Sequence, residues 1–396
     1  MRTGTANTYD NALEQLYRRQ SEMAGQQEKL SSGLRVNRTS DDPIASAQAE
    51  RATVRLSRIE TDQRALETQR SALATAEAGL GEAIGLMQTA RELVIASGDA
   101  AYTPANRGSL AHQLTGLRDQ IFAISNRTDN NGVPLFGGLG SAGSPFADFP
   151  AAVAFQGTAG QRAATTTALP GTMNGQATWM DVPSGNRVFE VSLGAANTGS
   201  VWSDPGSVIQ PALVTGNNYR IDFTVTAGVT TYDVVNINTA TTLATGIPYT
   251  SGAPIQFDGI EVLAQGTPQS GDSLDIAPSA TRNVFNLLDQ AIASIDQAPG
   301  DNRLAHAISL SLAQIDTAME RLQTARGQAG DWLNRADTIT DAQSARSLSL
   351  ESDRGRAIDV DMVKAISDFS RTQSGYQAAL QSYAQIQRLS LFNYIN

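Results

Sequence analysis

Between residues 66 and 94 the chain places an apolar side chain every seven positions: Leu66, Leu73, Leu80, Met87 and Val94. Gln69, Ala76, Ala83 and Ala90 follow three residues after the first four. Alternating steps of three and four keep both sets on one side of a helix, and a heptad sustained over four repeats specifies a coiled coil. Asp42 followed by Pro43 is a capping side chain and a first-turn proline, so the helix starts there. It runs to about residue 97, where Gly98 ends it. At 1.5 Å per residue such a helix is on the order of 80 Å long, too long to pack alone as one face of a small globule.

The same patterning recurs toward both ends. Leu13, Leu16, Met23 and Leu30 fall on one seam whose remaining positions are Gln20 and Gln27, and Gly33 is the natural stop. Thr103-Pro104 opens a third helix carrying Leu110, Leu114, Leu117, Ile121 and Ile124. After residue 276, Phe285, Leu288, Ile292 and Ile295 mark a short helix. Ile308, Leu312, Ile315, Met319, Leu322, Ala329 and Leu333 mark a long one, interrupted by Arg326. The last helix, roughly 359–393, places Met362, Ile366, Phe369, Tyr376, Leu380 and Tyr383 on a seam interrupted by Gln373. Ile386, Leu389, Leu391, Phe392 and Ile395 keep the tail apolar.

The middle of the chain is different. Residues 138–275 are rich in Gly, Thr, Val and Pro, and their apolar residues alternate. Tyr219, Ile221, Phe223 and Val225 alternate with polar neighbours, as in a half-buried strand, and Phe189, Val191 and Leu193 repeat the pattern. Ile255, Phe257, Ile260 and Val262 flank Asp258-Gly259, a turn or bulge. Ten acidic and three basic side chains in this stretch carry most of the net charge of −10, so it reads as a solvent-facing module. The fold class is therefore mainly α with a β insert: long antiparallel coiled-coil helices from both termini and a central β-rich domain.

Composition excludes several function classes. No cysteine is present, so thiol chemistry and Cys-based metal binding are absent. A pI near 4.8 without a basic stripe opposes nucleic-acid binding. No apolar run approaches the roughly 20 residues of a membrane span, so membrane insertion is not expected. The N-terminal residues show no apolar core of a cleaved secretory signal. Gly138, Gly140 and Gly143 match a dinucleotide-binding spacing, but no clear strand precedes them, and Pro145 and Pro150 oppose a following helix. His112 and His306, the two histidines, belong to no metal-binding pattern. Asp41-Asp42 suits capping better than acid catalysis. No catalytic, cofactor or metal residue is assigned. Trp179, Trp202, Tyr219, Tyr232 and Tyr249 could stack on sugars, although core packing is the commoner use of aromatics.

The apolar stripes of the terminal helices need partners, since burying one Leu contributes roughly 1.5–3 kcal/mol and an isolated helix is marginal in water. Two arrangements satisfy them: a bundle within one chain, or completion by neighbouring subunits. The apolar tail favours docking on something, because chain ends are normally polar and frayed.

Four stretches resemble the flagellar hook-associated protein 3 family, the FlgL hook–filament junction proteins. They are Leu30-Ser31-Ser32-Gly33-Leu34-Arg35-Val36-Asn37-Arg38-Thr39-Ser40-Asp41-Asp42-Pro43, Ala90-Arg91-Glu92-Leu93-Val94, Pro134-Leu135-Phe136-Gly137-Gly138 and Leu389-Ser390-Leu391-Phe392. The likeness covers about 1–138 and 250–396. Flagellin shares the Ser32-Gly33-Leu34-Arg35 and Asp41-Asp42 elements. Pro43, Leu135-Phe136-Gly137-Gly138 and the Leu-Ser-Leu-Phe ending set this chain nearer the junction proteins.

The resemblance implies an extracellular structural protein of the bacterial flagellum, exported through the flagellar type III channel without a cleaved signal peptide. It implies a ring of like subunits between another hook-associated protein and the first flagellin subunits, with an export chaperone holding the C-terminal helix beforehand. On this reading residues 1–42 and 357–396 form the inner assembly core, 43–137 and 276–356 a coiled-coil rod, and 138–275 an outward-facing insert. The assembly interface then comprises Leu13, Leu16, Gln20, Met23, Gln27, Leu30, Met362, Ile366, Phe369, Gln373, Tyr376, Leu380, Tyr383, Ile386, Leu389, Leu391 and Phe392. Gly33, Asp41, Asp42 and Pro43 form the inter-helix turn. The competing readings are a divergent flagellin and a filament protein with a glycan-binding insert.

Overall fold

The computed structural model describes the backbone of residues 5–297 and 301–392 and the side chains of residues 10–296 and 303–385. The helices are α1 (Thr5–Ser32), α2 (Pro43–Ser97), α3 (Pro104–Ser125), α4 (Val284–Gln297), α5 (Asp301–Ile358) and α6 (Met362–Phe392). Their ends have local causes. Gly33 adopts a φ of +72°, open to glycine without strain, and its N–H donates to the Lys29 carbonyl at 3.0 Å. Thr103 accepts from the Asn106 N–H at 3.3 Å ahead of Pro104. Asp361 accepts from the N–H groups of Val363 and Lys364, both at 3.1 Å. The described residues divide into two compact units, one up to Arg64 and again from Thr340, the other Ala65–Ile339.

In the second unit the heptad of α2 is the core. Leu66, Leu73, Leu80, Met87 and Val94 are at most 2% exposed, as are Ala76, Ala83 and Ala90. On α5 the buried row is Ile315, Ala318, Leu322, Ala325 and Ala329, stepped by threes and fours, then Ala336 and Ile339, with the half-buried Trp332 and Leu333 between. Arg70 pairs with Asp337 at 3.0 Å, Glu77 with Arg326 at 2.6 Å and Arg91 with Asp316 at 2.8 Å. Partner numbers on α5 fall as those on α2 rise, which is the signature of an antiparallel pair. Arg326, which interrupts the apolar pattern, thus stands outside the buried row and serves as the Glu77 partner. Leu114, Ile121 and Ile124 of α3 and Phe285, Leu288 and Ile295 of α4 complete this core.

The middle segment is shared between two cores. Phe146, Val153, Met173, Trp179 and Val182 pack with the helices, beside Leu135 and Phe136 that precede the segment. Phe285 lies at their centre, 5.5 Å from Phe122, 6.0 Å from Trp179 and 6.1 Å from Phe146 between ring centroids. Arg118 of α3 ties this region down. Its buried guanidinium bonds Asp148 and Asp289 and lies over the Phe122 and Phe285 rings. The bond to Asp148 foremost holds the guanidinium well above its ordinary value, and the same contact lowers the Asp148 carboxyl.

Residues 189–278 build their own core from Phe189, Val191, Tyr219, Ile221, Phe223, Val234, Ile255, Val262, Leu274 and Ile276. Five antiparallel strands run in the spatial order Phe189–Leu193, Ser273–Pro278, Tyr219–Thr226, Val229–Asn236, Thr241–Pro248. The alternation read at 219–226 is that of a strand with Tyr219, Ile221 and Phe223 buried. Asp258 and Gly259, both at positive φ, form a two-residue hairpin turn between Pro254–Phe257 and Ile260–Gln265. The edge strand Thr241–Pro248 slips register twice against its neighbour, between Tyr232 and Val234 and between Val234 and Val235. Asp233 pins the first slip by accepting from the Gly246 N–H at 2.6 Å.

Candidate assembly interface

The terminal helices α1 and α6 pack on each other in the first unit. On α1, Leu13, Leu16, Met23 and Leu30 are half-buried, as their spacing requires. Gln20 and Gln27, expected to fill the same seam, are exposed. Around Gln20 the contact is made by a different device: Arg19 lies over Gly375 of α6, and a Cβ on that glycine would meet Arg19 Nη1 at 2.5 Å. A guanidinium laid over a glycine covers helix surface without an apolar seam residue.

On α6 the expected face divides in two. The covered positions are Ala365, Phe369, Thr372, Tyr376, Ala379 and Tyr383, stepped by four and three. Met362, Ile366 and Leu380 are 46%, 54% and 42% exposed, and Gln373 is exposed with them. A step of 100° per residue puts these four on the flank next to the covered row, so apolar character alone merged two adjacent stripes. Val363 widens the exposed stripe at 82% exposure. The side chains of Ile386, Leu389, Leu391 and Phe392 lie outside the described residues. Other exposed apolar side chains of this unit are Tyr17 on α1, Ile44 and Val54 on α2 and Leu348 on α5.

The turn between α1 and α2 is held against the α5–α6 junction. The Arg35 N–H donates to the Ile358 carbonyl at 2.7 Å, and the Val360 N–H donates to the Gly33 carbonyl at 3.0 Å. Leu34 and Asp359 form the bridge between the two stretches. The Arg35 guanidinium reaches the Ala357 carbonyl at 2.6 Å and Asp42 Oδ2 at 3.2 Å. Asp42 caps α2 through the Ala45 N–H at 3.0 Å, with Pro43 in the first turn. That N–H, with the Arg35 charge in support, holds the Asp42 carboxyl below its ordinary range. Asp41 closes the turn, its Oδ2 accepting from the N–H groups of Asn37 and Arg38 at 3.1 and 3.0 Å. Sequence reasoning assigned Gly33, Asp41, Asp42 and Pro43 to this turn but gave no role there to Arg35 or to residues 357–360. Their contacts cross more than 300 positions, and no periodicity carries that signal.

The discounted sites resolve physically. Gly138 sits at φ +67° with its N–H on the Met173 carbonyl and a strand pair following at Phe146–Asp148, so no helix N-terminus faces the glycines. His112 is exposed, whereas His306 is buried with Nδ1 3.1 Å from the Ser203 carbonyl. Trp179 is fully buried against Phe136 and Phe285 and Tyr219 is 4% exposed, so neither offers a sugar-stacking face. Trp202, Tyr232 and Tyr249 are half-buried. Among the described residues no helix is long and apolar enough to cross a membrane.

The N-terminal helical region of bacterial flagellin matches residues 4–141, and its C-terminal helical region matches residues 312–395. These stretches contain α1–α3, most of α5, and α6. The flagellar hook-associated protein 3 of Salmonella typhimurium is 25% identical over 401 residues, spanning 99% of both chains. The chain belongs to the flagellar hook-associated protein 3 family, a relative of flagellin. The solved structure of flagellar hook-associated protein 3 from Legionella pneumophila superposes with a TM-score of 0.72 at 25% identity, covering 76% of this chain and 98% of that one. FlgL from Xanthomonas campestris superposes with a TM-score of 0.66 at 26% identity, covering 75% and 99%. This chain carries long helices toward both ends flanking a central antiparallel β-rich domain.

Proposed function

We propose that this chain is a structural axial component of the flagellum, joining the hook-associated ring to the flagellin filament. It is not an enzyme. The likeness to hook-associated protein 3 over nearly the whole length of both chains carries this reading. Its place of work is the extracellular flagellum.

Several finer points belong to the same proposal. Copies stand side by side in a ring, with another hook-associated protein on one side and flagellin on the other. The stripe of Met362, Val363, Ile366 and Leu380 supports this, because apolar side chains left wet on a helix gain by contact with a neighbour. Before export the same helix is the seat of a chaperone, which covers that stripe until assembly does. Export proceeds through the flagellar channel without cleavage, and N-terminal sequencing of chain recovered from flagella tests that step.

Deletion of the gene tests the function. Hooks should form normally, filaments should be missing, and flagellin should accumulate in the medium. A deletion strain that keeps its filaments sinks the reading. Both terminal matches are to flagellin regions, so a bulk filament subunit is the competing reading. Abundance separates the two: a junction subunit is scarce beside flagellin in purified flagella, and a filament subunit is not.

A further inference from the structure

In the first unit, the start of α2 and the end of α5 enclose an open groove of about 410 Å³. Ala52, Leu350 and Ala357 form its buried apolar floor. Arg51 and Arg55 of α2 stand on one wall and Arg356 with Asp353 of α5 on the other, three cations to one carboxylate. Arg356 has a partner, since it pairs with Asp353 on its own helix. Arg51 and Arg55 have no carboxylate within ion-pair distance among the described residues. They lie four apart on one helix face, where like charges repel. Two unpaired arginines above an apolar floor form a surface suited to carboxylates carried on another protein surface.

We infer that this groove docks the acidic surface of a second copy of the chain. The charge distribution names the occupant. Residues 65–339 hold 24 acidic against 13 basic side chains, whereas the rest of the chain is close to balance with 15 against 16. Identical subunits therefore bring a net negative charge to the groove of the next copy when residues 65–339 approach it. Contact there relieves the Arg51–Arg55 repulsion and removes Ala52, Leu350 and Ala357 further from water. The contact is heterologous, one patch meeting a different patch, as a ring of like subunits requires. The inference rests on the self-assembly part of the proposed function and adds the surface through which copies meet.

The test puts p-benzoylphenylalanine at Gln48, on the exposed rim of the groove, in the full chain within assembled flagella. Irradiation should give an adduct of twice the chain mass whose second half maps to residues 65–339. In the R51E/R55E variant the yield should fall about ten-fold, while R51K/R55K keeps the charge and most of the yield. Far-UV circular dichroism checks that both variants fold. Should R51E/R55E fail to fold, wild-type yield at low and high ionic strength replaces it, and the adduct should weaken as salt rises. An adduct with flagellin or with another hook-associated protein overturns the inference. So does a self-adduct indifferent to both charge reversal and salt, and so does the absence of any adduct. The junction reading is decided apart from this by the deletion strain. Missing filaments there with no self-adduct here removes the groove and leaves the junction.

Discussion

Arg35 Nη2 donates to the carbonyl oxygen of Ala357 at 2.6 Å, joining positions 322 residues apart in the chain. The contact holds the turn after α1 to the last turn of α5, so the first unit is closed by backbone and side chain together.

Arg35→Ala should therefore loosen both stretches. The lost bond to a main-chain carbonyl is worth about 1 kcal/mol, and the ion pair to Asp42 adds little because both groups stay wetted. Hydrogen exchange should quicken at residues 33–42 and 355–361 and stay unchanged at residues 73–94. Equal protection in wild type and variant would show that the backbone bonds alone hold the junction.

The seam of the second unit should tolerate neither loss nor gain of volume. Leu80→Ala leaves a cavity in a fully buried position and should cost about 2–5 kcal/mol. Ala83→Leu crowds the same layer and should cost about 1–3 kcal/mol. Urea unfolding followed by circular dichroism reads both, and a neutral Ala83→Leu would mean that the seam has spare room.

Gln20 and Gln27 give the opposite expectation for the isolated chain. Both are exposed, so the Gln20→Leu, Gln27→Leu double variant should keep its monomer stability within about 0.5 kcal/mol. Its effect should fall on assembly, with fewer filaments retained per cell. Clear stabilisation of the monomer would place these positions inside the α1–α6 contact after all.

His306 should make the second unit sensitive to mild acid. Burial pushes its imidazole below the ordinary value of 6.5, with the Ser203 and Val191 carbonyls and Glu190 opposing that shift. The unfolded chain thus takes up a proton near pH 6.5 while the folded chain does not. Stability is full above that pH and falls as pH drops toward the lowered folded value. The urea midpoint should decline from pH 7.5 to 5.5 in wild type and decline less in His306→Gln. Parallel slopes in the two proteins would assign the pH dependence to other groups.

How much of this was legible depended on the range of the interaction. Heptad spacing from Leu66 to Val94 read correctly because one helix face is a local property, and Gly33, Asp42-Pro43 and Thr103-Pro104 marked helix ends through bonds spanning a few residues. On α6 the same method joined Phe369, Tyr376 and Tyr383 to Met362, Ile366 and Leu380. Hydrophobicity shows that a face is apolar but not which neighbour covers it. Arg19 over Gly375 was invisible for another reason, since a charged residue and a glycine look like surface until a second helix arrives. The middle segment read as one module because Gly and Thr run through it, yet Trp179 and Phe146 pack with the helices. Aromatic residues belong to whichever core encloses them, and composition does not record that.

The doubled register slip along Thr241–Pro248 has a consequence for crowding. An uninterrupted sheet border is a template on which further strands can add without limit. Two register shifts leave the donors and acceptors of this edge out of step with any straight strand that approaches. In the proposed ring of like copies, such an edge lets neighbouring sheets approach and remain separate molecules.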